Sequence, residues 1–202
     1  MQLDFSQITT REAYQWMIHT ILPRPIAWVS TVAADGRSNL APFSFFQGIT
    51  ANPPTLMFVP VNDRHGTKKD TVRNIEEVPE FVINVVSRTL AAQMNLTSAT
   101  LPHDESEMEK FGIESAPASR VRPRRVAAAP VAFECALDRI IRIGEGPLAA
   151  NVVFGRILLV HIHDDMLAPD GYPDPAKLDL IGRMGGDDYA TTRDLFSLAR
   201  PR

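Results

Sequence analysis

The sequence predicts a mainly β protein with short helices, built as an antiparallel barrel, closed or split, of six or seven strands. Short apolar, β-rich runs follow one another through tight turns. The helical segments are too few to alternate with the strands, and a parallel sheet would need a helix after nearly every one. An antiparallel barrel also satisfies such strands without leaving edges open. At 202 residues, 45% hydrophobic and 22% charged, residues 1–202 are expected to form one domain with an ordinary core.

The elements follow in order. Thr9-Thr10-Arg11-Glu12 fits a capping box, with Thr9 capping and Glu12 reaching back. Ala13, Trp16, Met17 and Ile21 then keep helical spacing until Pro23 stops the helix. Ile26 to Val32 reads as a strand, Ala34 to Arg37 as a turn and Asn39 to Phe46 as the return strand, closed by Pro53 and Pro54. This return strand interleaves Asn39, Ser44 and Gln47 with Pro42 and three phenylalanines. It reads as the wall of a site for a flat, partly polar ligand. Leu56 to Val61 is a further strand, and Asn62 to Lys69 a polar loop. Asp70 can cap a helix to Val78 that turns Val72, Ile75 and Val78 inward. Phe81 to Val86 is a strand, and Ser87 caps a helix through Leu90, Ala91 and Met94.

From Thr97 to Pro130 the pattern dissolves into a Pro-, Ser- and Arg-rich excursion with one short helix at Glu107 to Phe111. Its length predicts a wrapping or lid segment. Val131 to Ile143 alternates, with Ala132, Glu134, Ala136 and Asp138 on a wet face. Val152 to His163 is apolar on both faces and is expected to lie deep. The tail from Lys177 carries Gly-Arg-Met-Gly-Gly and ends basic.

A net charge of −3 gives no electrostatic case for nucleic acid or anionic membrane. The first residues resemble neither a signal nor a transit peptide, and no apolar run approaches the length of a membrane span. The single cysteine allows no internal disulfide framework. The expected setting is reducing and cytoplasmic.

Four stretches could carry chemistry. A helix beginning near Asp70, with Lys69 and Thr71, could hold a phosphate through free N–H groups and the positive dipole end. Taken alone, the segment reads more simply as a cap beside solvated lysines. Ser44 to Gln47 could contact a phosphate or ring, or Phe43, Phe45 and Phe46 could simply fill a core. Alternation puts Phe43 and Phe45 on one face, with Ser44 and Phe46 on the other. His161 and His163 share a strand face, but no third metal ligand has a recognisable spacing. Cys135 lacks a local motif and reads as a buried small apolar residue. Finally, Gly144-Glu145-Gly146-Pro147-Leu148-Ala149 matches a dinucleotide-binding pattern. The charged strand before it and the β-branched residues after it point instead to a turn between antiparallel strands.

Pro23–Thr31, Asn39–Phe46, Lys69–Ile75, Phe81–Val86, Met94–Ala99 and Arg183–Tyr189 together resemble the flavin-reductase-like, FMN-binding split-barrel proteins. These include reductase components of two-component monooxygenases and flavoredoxin-type electron carriers. The resemblance implies a split β-barrel homodimer with FMN, or FAD in its place, bound non-covalently near the dimer interface. It places Thr31 and the Asn39–Phe46 segment, with Asn39, Ala41, Pro42, Ser44, Phe45 and Phe46, along the isoalloxazine and ribityl chain. Lys69, Asp70 and Thr71 fall at the phosphate and Asn84 at the polar edge of the ring. Asn95 and Ser98 fall near the site, reaching across the dimer, and Arg183 and Tyr189 close it. Gln47 departs from the asparagine that the family often carries there.

The implied activity is an NAD(P)H-dependent flavin reductase, with NADH or NADPH as donor and a partner oxygenase as one destination for the reduced flavin. Such a reaction asks for no catalytic acid–base residue from the protein and no metal. An electron-transfer flavoprotein with FMN as a fixed prosthetic group is the alternative. A non-catalytic flavin-binding sensor is a third.

Overall fold

The computed structural model describes residues 1–201. Helix α1 (Thr10–Thr20) begins at the predicted capping box, with Thr9 and Glu12 bonding each other's backbone N–H. Its apolar spacing does not face the core: only Ile18 is buried, and Trp16, Met17 and Ile21 are exposed. After β1 (Arg24–Pro25) come β2 (Ala27–Val32), β3 (Ser38–Phe43), β4 (Phe46–Ala51) and β5 (Pro54–Phe58). The predicted return strand to Phe46 is therefore broken. It ends at Phe43, and Phe46 opens a separate strand that pairs with β5.

Helix α2 (Asp70–Glu77) leads to β6 (Glu80–Val85), then α3 (Ala91–Leu96) and the short α4 (Glu107–Lys110). Two-residue strands β7 (Ser115–Ala116) and β8 (Arg125–Val126) pair within the excursion, ahead of the long strands β9 (Val131–Ile143) and β10 (Ala150–Ile162). A short α5 (Pro175–Leu178) precedes β11 (Ile181–Arg183) and β12 (Tyr189–Thr191), which form a small sheet with β1. No described helix is long and apolar enough to cross a membrane.

Seven strands form one sheet in the order β3-β2-β6-β9-β10-β5-β4, and every neighbouring pair is antiparallel. Its two edges, β3 and β4, are joined by only Ser44 and Phe45. Three peptide steps span about 10 Å at most, so the sheet must curl until its edges nearly meet. They do not pair with each other. The result is the split barrel that the sequence predicts, with the split at Ser44 and Phe45.

One core fills the barrel, with Val29, Phe58, Ile75, Phe81, Ile83 and Val153 buried together. A Cβ at Gly155 would lie 2.2 Å from the Phe81 ring. That strand position admits no side chain while Phe81 stays in place. Cys135 is buried in this core, as expected, and burial pushes its thiol pKa up.

A second core lies outside, where the 97–130 excursion and α3 cover β2 and β3. Trp28 and Leu40 meet Met94, Met108, Ile113 and Val126 there. Trp28 Nε1 donates to Thr97 Oγ1 at 2.9 Å, and Ser30 Oγ donates to the Arg124 carbonyl at 2.6 Å. The excursion is thus a strap over the barrel's outer wall.

Two expectations for the long strands need correction. Glu134 is fully buried under the strap, where it accepts from the Ser119 and Arg120 N–H groups and bonds His161 Nε2. The second half of β10 is not deep, since Leu158 and Val160 are about two-fifths exposed (41% and 42%). The turn between β9 and β10 carries the glycine-rich Gly144–Ala149 segment, as antiparallel pairing requires.

Candidate functional site

The split places a cleft where the β3–β4 junction meets α1, α3 and the tail. On one side of Ser44 a cavity of about 260 Å³ is lined by Tyr14, Pro42 and Phe43 together with Asn95, Ser98, Arg183 and Tyr189. On the other side a hollow of about 200 Å³ shares Tyr14, Pro42, Phe43 and Ser44 and adds Phe45 and Lys69. Together they run from the Arg183–Tyr189 end, past Ser44, to the start of α2. Phe45 meets Tyr14 edge-on, with centroids 6.5 Å apart.

At the α2 end, Lys69 is the N-cap residue and no side chain caps the helix. The first-turn N–H groups of Asp70 and Thr71 have no partner within the helix, and they lie beside an ammonium that forms no ion pair among the described residues. This combination suits an anion. Asp70 is the first helical residue and not the predicted cap. Its carboxylate takes His103 Nδ1 at 2.8 Å and Arg73 Nη1 at 3.3 Å, which offsets its charge.

Beneath this turn lies a buried polar cluster. Asn39 Nδ2 donates to Thr71 Oγ1 at 3.0 Å and, more weakly, to Thr31 Oγ1 at 3.4 Å. Asn74 Nδ2 donates to Thr31 Oγ1 at 3.0 Å. Polar groups withdrawn from water are costly unless bonded to one another, so this cluster ties the hairpin to α2 in one register. The side chains of Thr31, Asn39 and Thr71 thus stand behind the surface.

Ser44 is held from below. Arg24 is buried, and its Nε donates to Ser44 Oγ at 3.3 Å. Its Nη1 donates to the Ile18 and Ile21 carbonyls and its Nη2 to that of Met184. Burial holds the Arg24 pKa below the ordinary arginine value, and neighbouring Arg183 pushes the same way. One guanidinium therefore fastens the end of α1 and the β11 exit to the cleft floor.

At the far end, Arg183 stacks over the Tyr189 ring at 4.6 Å, and Tyr189 Oη donates to Asn95 Oδ1 at 3.3 Å. Asn95, Ser98, Arg183 and Tyr189 converge within one chain, so no second copy is needed to bring them together.

Three further predicted positions do not line the cleft. Asn84 is fully buried: its Nδ2 donates to the Trp28 carbonyl and its Oδ1 accepts from Val126 N–H, so its side chain pins the strap. Phe46 packs against the inner core. Ala41, on the edge strand β3, pairs with Val29 and lines neither hollow. Gln47 is exposed on β4 and accepts from the neighbouring Gly48 N–H.

Sequence reasoning missed Arg24, Tyr14 and Asn74. Arg24 resembles any charged residue beside two prolines, and nothing local marks it as buried. Asn74 falls one turn after Asp70, the only hint that it faces the same network.

The donor set along the cleft suits an elongated ligand with an anionic end and a flat middle. Comparisons with known proteins identify the family. Residues 18–175 match the family model described as a flavin reductase like domain. An uncharacterized protein of Deinococcus radiodurans is 38% identical over 98% of this chain and 88% of its own length. Among solved structures, nitrilotriacetate monooxygenase component B from Bacillus cereus superposes with a TM-score of 0.92 at 30% identity, covering 98% of both chains. The 2-nitrobenzoate 2-nitroreductase of Pseudomonas fluorescens gives 0.88 at 28% identity, over 100% of this chain and 96% of that one. The chain belongs to the flavin-reductase-like split-barrel family.

Proposed function

We propose that this protein is an NAD(P)H-dependent flavin reductase that binds FMN non-covalently in the cleft. The observation that carries the reading is the pairing of an anion-binding helix start at Lys69 with an aromatic and small-polar cleft that runs from it past Ser44. That sequence of surfaces fits a flavin mononucleotide. Lys69 and the Asp70 and Thr71 N–H groups would hold its phosphate, and Pro42, Ser44 and Phe45 would line its path. Bound FMN would supply the hydride-accepting chemistry. The chain's own work is to orient two ligands, keep Ser44 in place through Arg24 and limit water at the Arg183–Tyr189 end.

The likeness to a monooxygenase component supports a further step, in which the reduced flavin serves a partner oxygenase. The apolar residues left exposed on α1 and β10, Trp16, Met17, Leu158 and Val160 among them, support a homodimer. Sedimentation of the purified protein at twice the monomer mass would bear that out.

The test of the reductase reading is NADH or NADPH oxidation with and without added FMN. The rate should rise and saturate with FMN, and Lys69→Ala should raise the KM for FMN about tenfold with kcat little changed. A rate indifferent to added flavin would count against a reductase that uses flavin as a substrate.

A further inference from the structure

Beyond Lys69 the cleft opens into a groove of about 910 Å³, bounded by the loop from Val61 to Lys69, the start of α2, the chain near Thr100 and the β9–β10 turn. Arg11, Arg64, Lys68, Lys69 and Arg73 line it. Its acidic residues are Asp63 and Asp70, so five cations face two carboxylates, a local balance of +3 on a chain whose net charge is −3. Lys68 is tied to Glu76 and Arg73 to Asp70. Asp63 is turned into its own loop, where it accepts from the His65 and Thr67 N–H groups. Arg11, Arg64 and Lys69 enter no ion pair among the described residues. Cations gathered in a concave surface attract a phosphate-bearing group.

The groove also has an apolar wall. Leu148 projects there at 38% exposure from a backbone with φ of 60°, a left-handed conformation that costs a non-glycine residue energy. The turn that carries it is clamped. Gly66, itself at φ +80°, packs so closely that a Cβ would lie 3.2 Å from the Gly146 backbone. Asn62 accepts from the Leu148 N–H and donates to the Gly146 carbonyl. A rigid turn thus presents a leucine, beside Pro147, to a cationic groove. That pairing of surfaces fits a flat base carried on a phosphate.

We propose that this groove takes the adenylate half of FAD, so that the chain holds FAD more tightly than FMN. The proposal rests on the flavin reading above. With the flavin phosphate at Lys69, the second phosphate of FAD is covalently bound to the first and must leave the cleft there. The groove begins at that point. The second phosphate then meets Arg11 and Arg64, and the adenine lies against Leu148.

The test is flavin titration, followed by fluorescence, with the full chain and two variants. Wild type should bind FAD about tenfold more tightly than FMN, the scale of one charge-assisted hydrogen bond. Arg64→Ala and Leu148→Gly should each erode that advantage and leave the FMN affinity unchanged. Leu148→Gly relieves the left-handed strain, so its melting temperature should hold or rise, which separates lost binding from lost folding. Equal FAD and FMN affinities in wild type would overturn the proposal. So would variants that raise the KM for NADPH and spare FAD, because the groove would then serve the nicotinamide dinucleotide. Failure to bind either flavin would overturn the flavin reading itself, and this assignment with it.

Discussion

Asn39 donates to the Thr71 hydroxyl at 3.0 Å, joining the second arm of the hairpin to the first turn of α2. Both residues are buried. The bond therefore sets where the free N–H groups of that turn point. Thr71→Val keeps the shape and removes the acceptor, leaving the Asn39 amide with only its weak bond to Thr31. The expected cost is about 1–3 kcal/mol, or a melting temperature lower by roughly 2–4 °C per kcal/mol. Flavin affinity should fall with it. A variant unchanged in both melting and titration would show that the cluster does not position the helix.

Arg24 should be among the more costly side chains to remove. Arg24→Met strands the Ile18, Ile21 and Met184 carbonyls, and roughly 2–4 kcal/mol should be lost. Arg24→Lys should recover only part, because an ammonium cannot reproduce the planar fork. Denaturant unfolding of both variants checks this; full recovery by lysine would contradict it.

Gly155→Ala tests the inner core. The added methyl would sit 2.2 Å from Phe81 Cζ, and a close-packed barrel has little room to move that ring. Destabilisation of about 1–3 kcal/mol is expected. Gly155→Ala combined with Phe81→Leu should lose less than the sum of the two single changes, as measured by thermal melting.

Acid should loosen the strap. Burial pushes the Glu134 carboxyl up, but hydrogen bonds from Ser119 N–H, His161 and Arg120 N–H outweigh it, leaving the pKa below the usual 4.5. A carboxyl depressed in the folded state stabilises fully above its unfolded value, and the contribution is lost as pH falls through the folded one. Wild-type stability should therefore drop below about pH 4.5. Glu134→Gln should be less stable at neutral pH and flatter across the acid range. Parallel slopes for the two proteins would place the acid sensitivity elsewhere.

The sequence made the barrel legible because strand period, turn glycines and the shortage of helices all act locally. The capping box at Thr9 and the helix after Lys69 were legible for the same reason. The β3–β4 break was not. A period-2 reading runs straight through Ser44 and Phe45, and only the pairing of Phe46 with Phe58 shows that the chain has changed partners. Glu134 misled because alternation reports which side of a strand a residue faces, and cannot report that a strap from residues 97–130 covers that side. Asn84 misled in the same way. The family resemblance places it at the edge of a ring, yet here it bonds the strap's backbone. Lys69 and Ser44 were readable as site candidates, whereas Arg24 became visible only once α1, Ser44 and Met184 were brought around it.

The most direct test of the central claim is an anaerobic visible spectrum of the protein mixed with FMN, before and after NADH or NADPH is added. Rapid bleaching of the flavin band in the presence of wild-type protein, slowed at limiting FMN by Lys69→Ala, is the predicted result. A flavin band that persists at the same rate with and without the protein would contradict it.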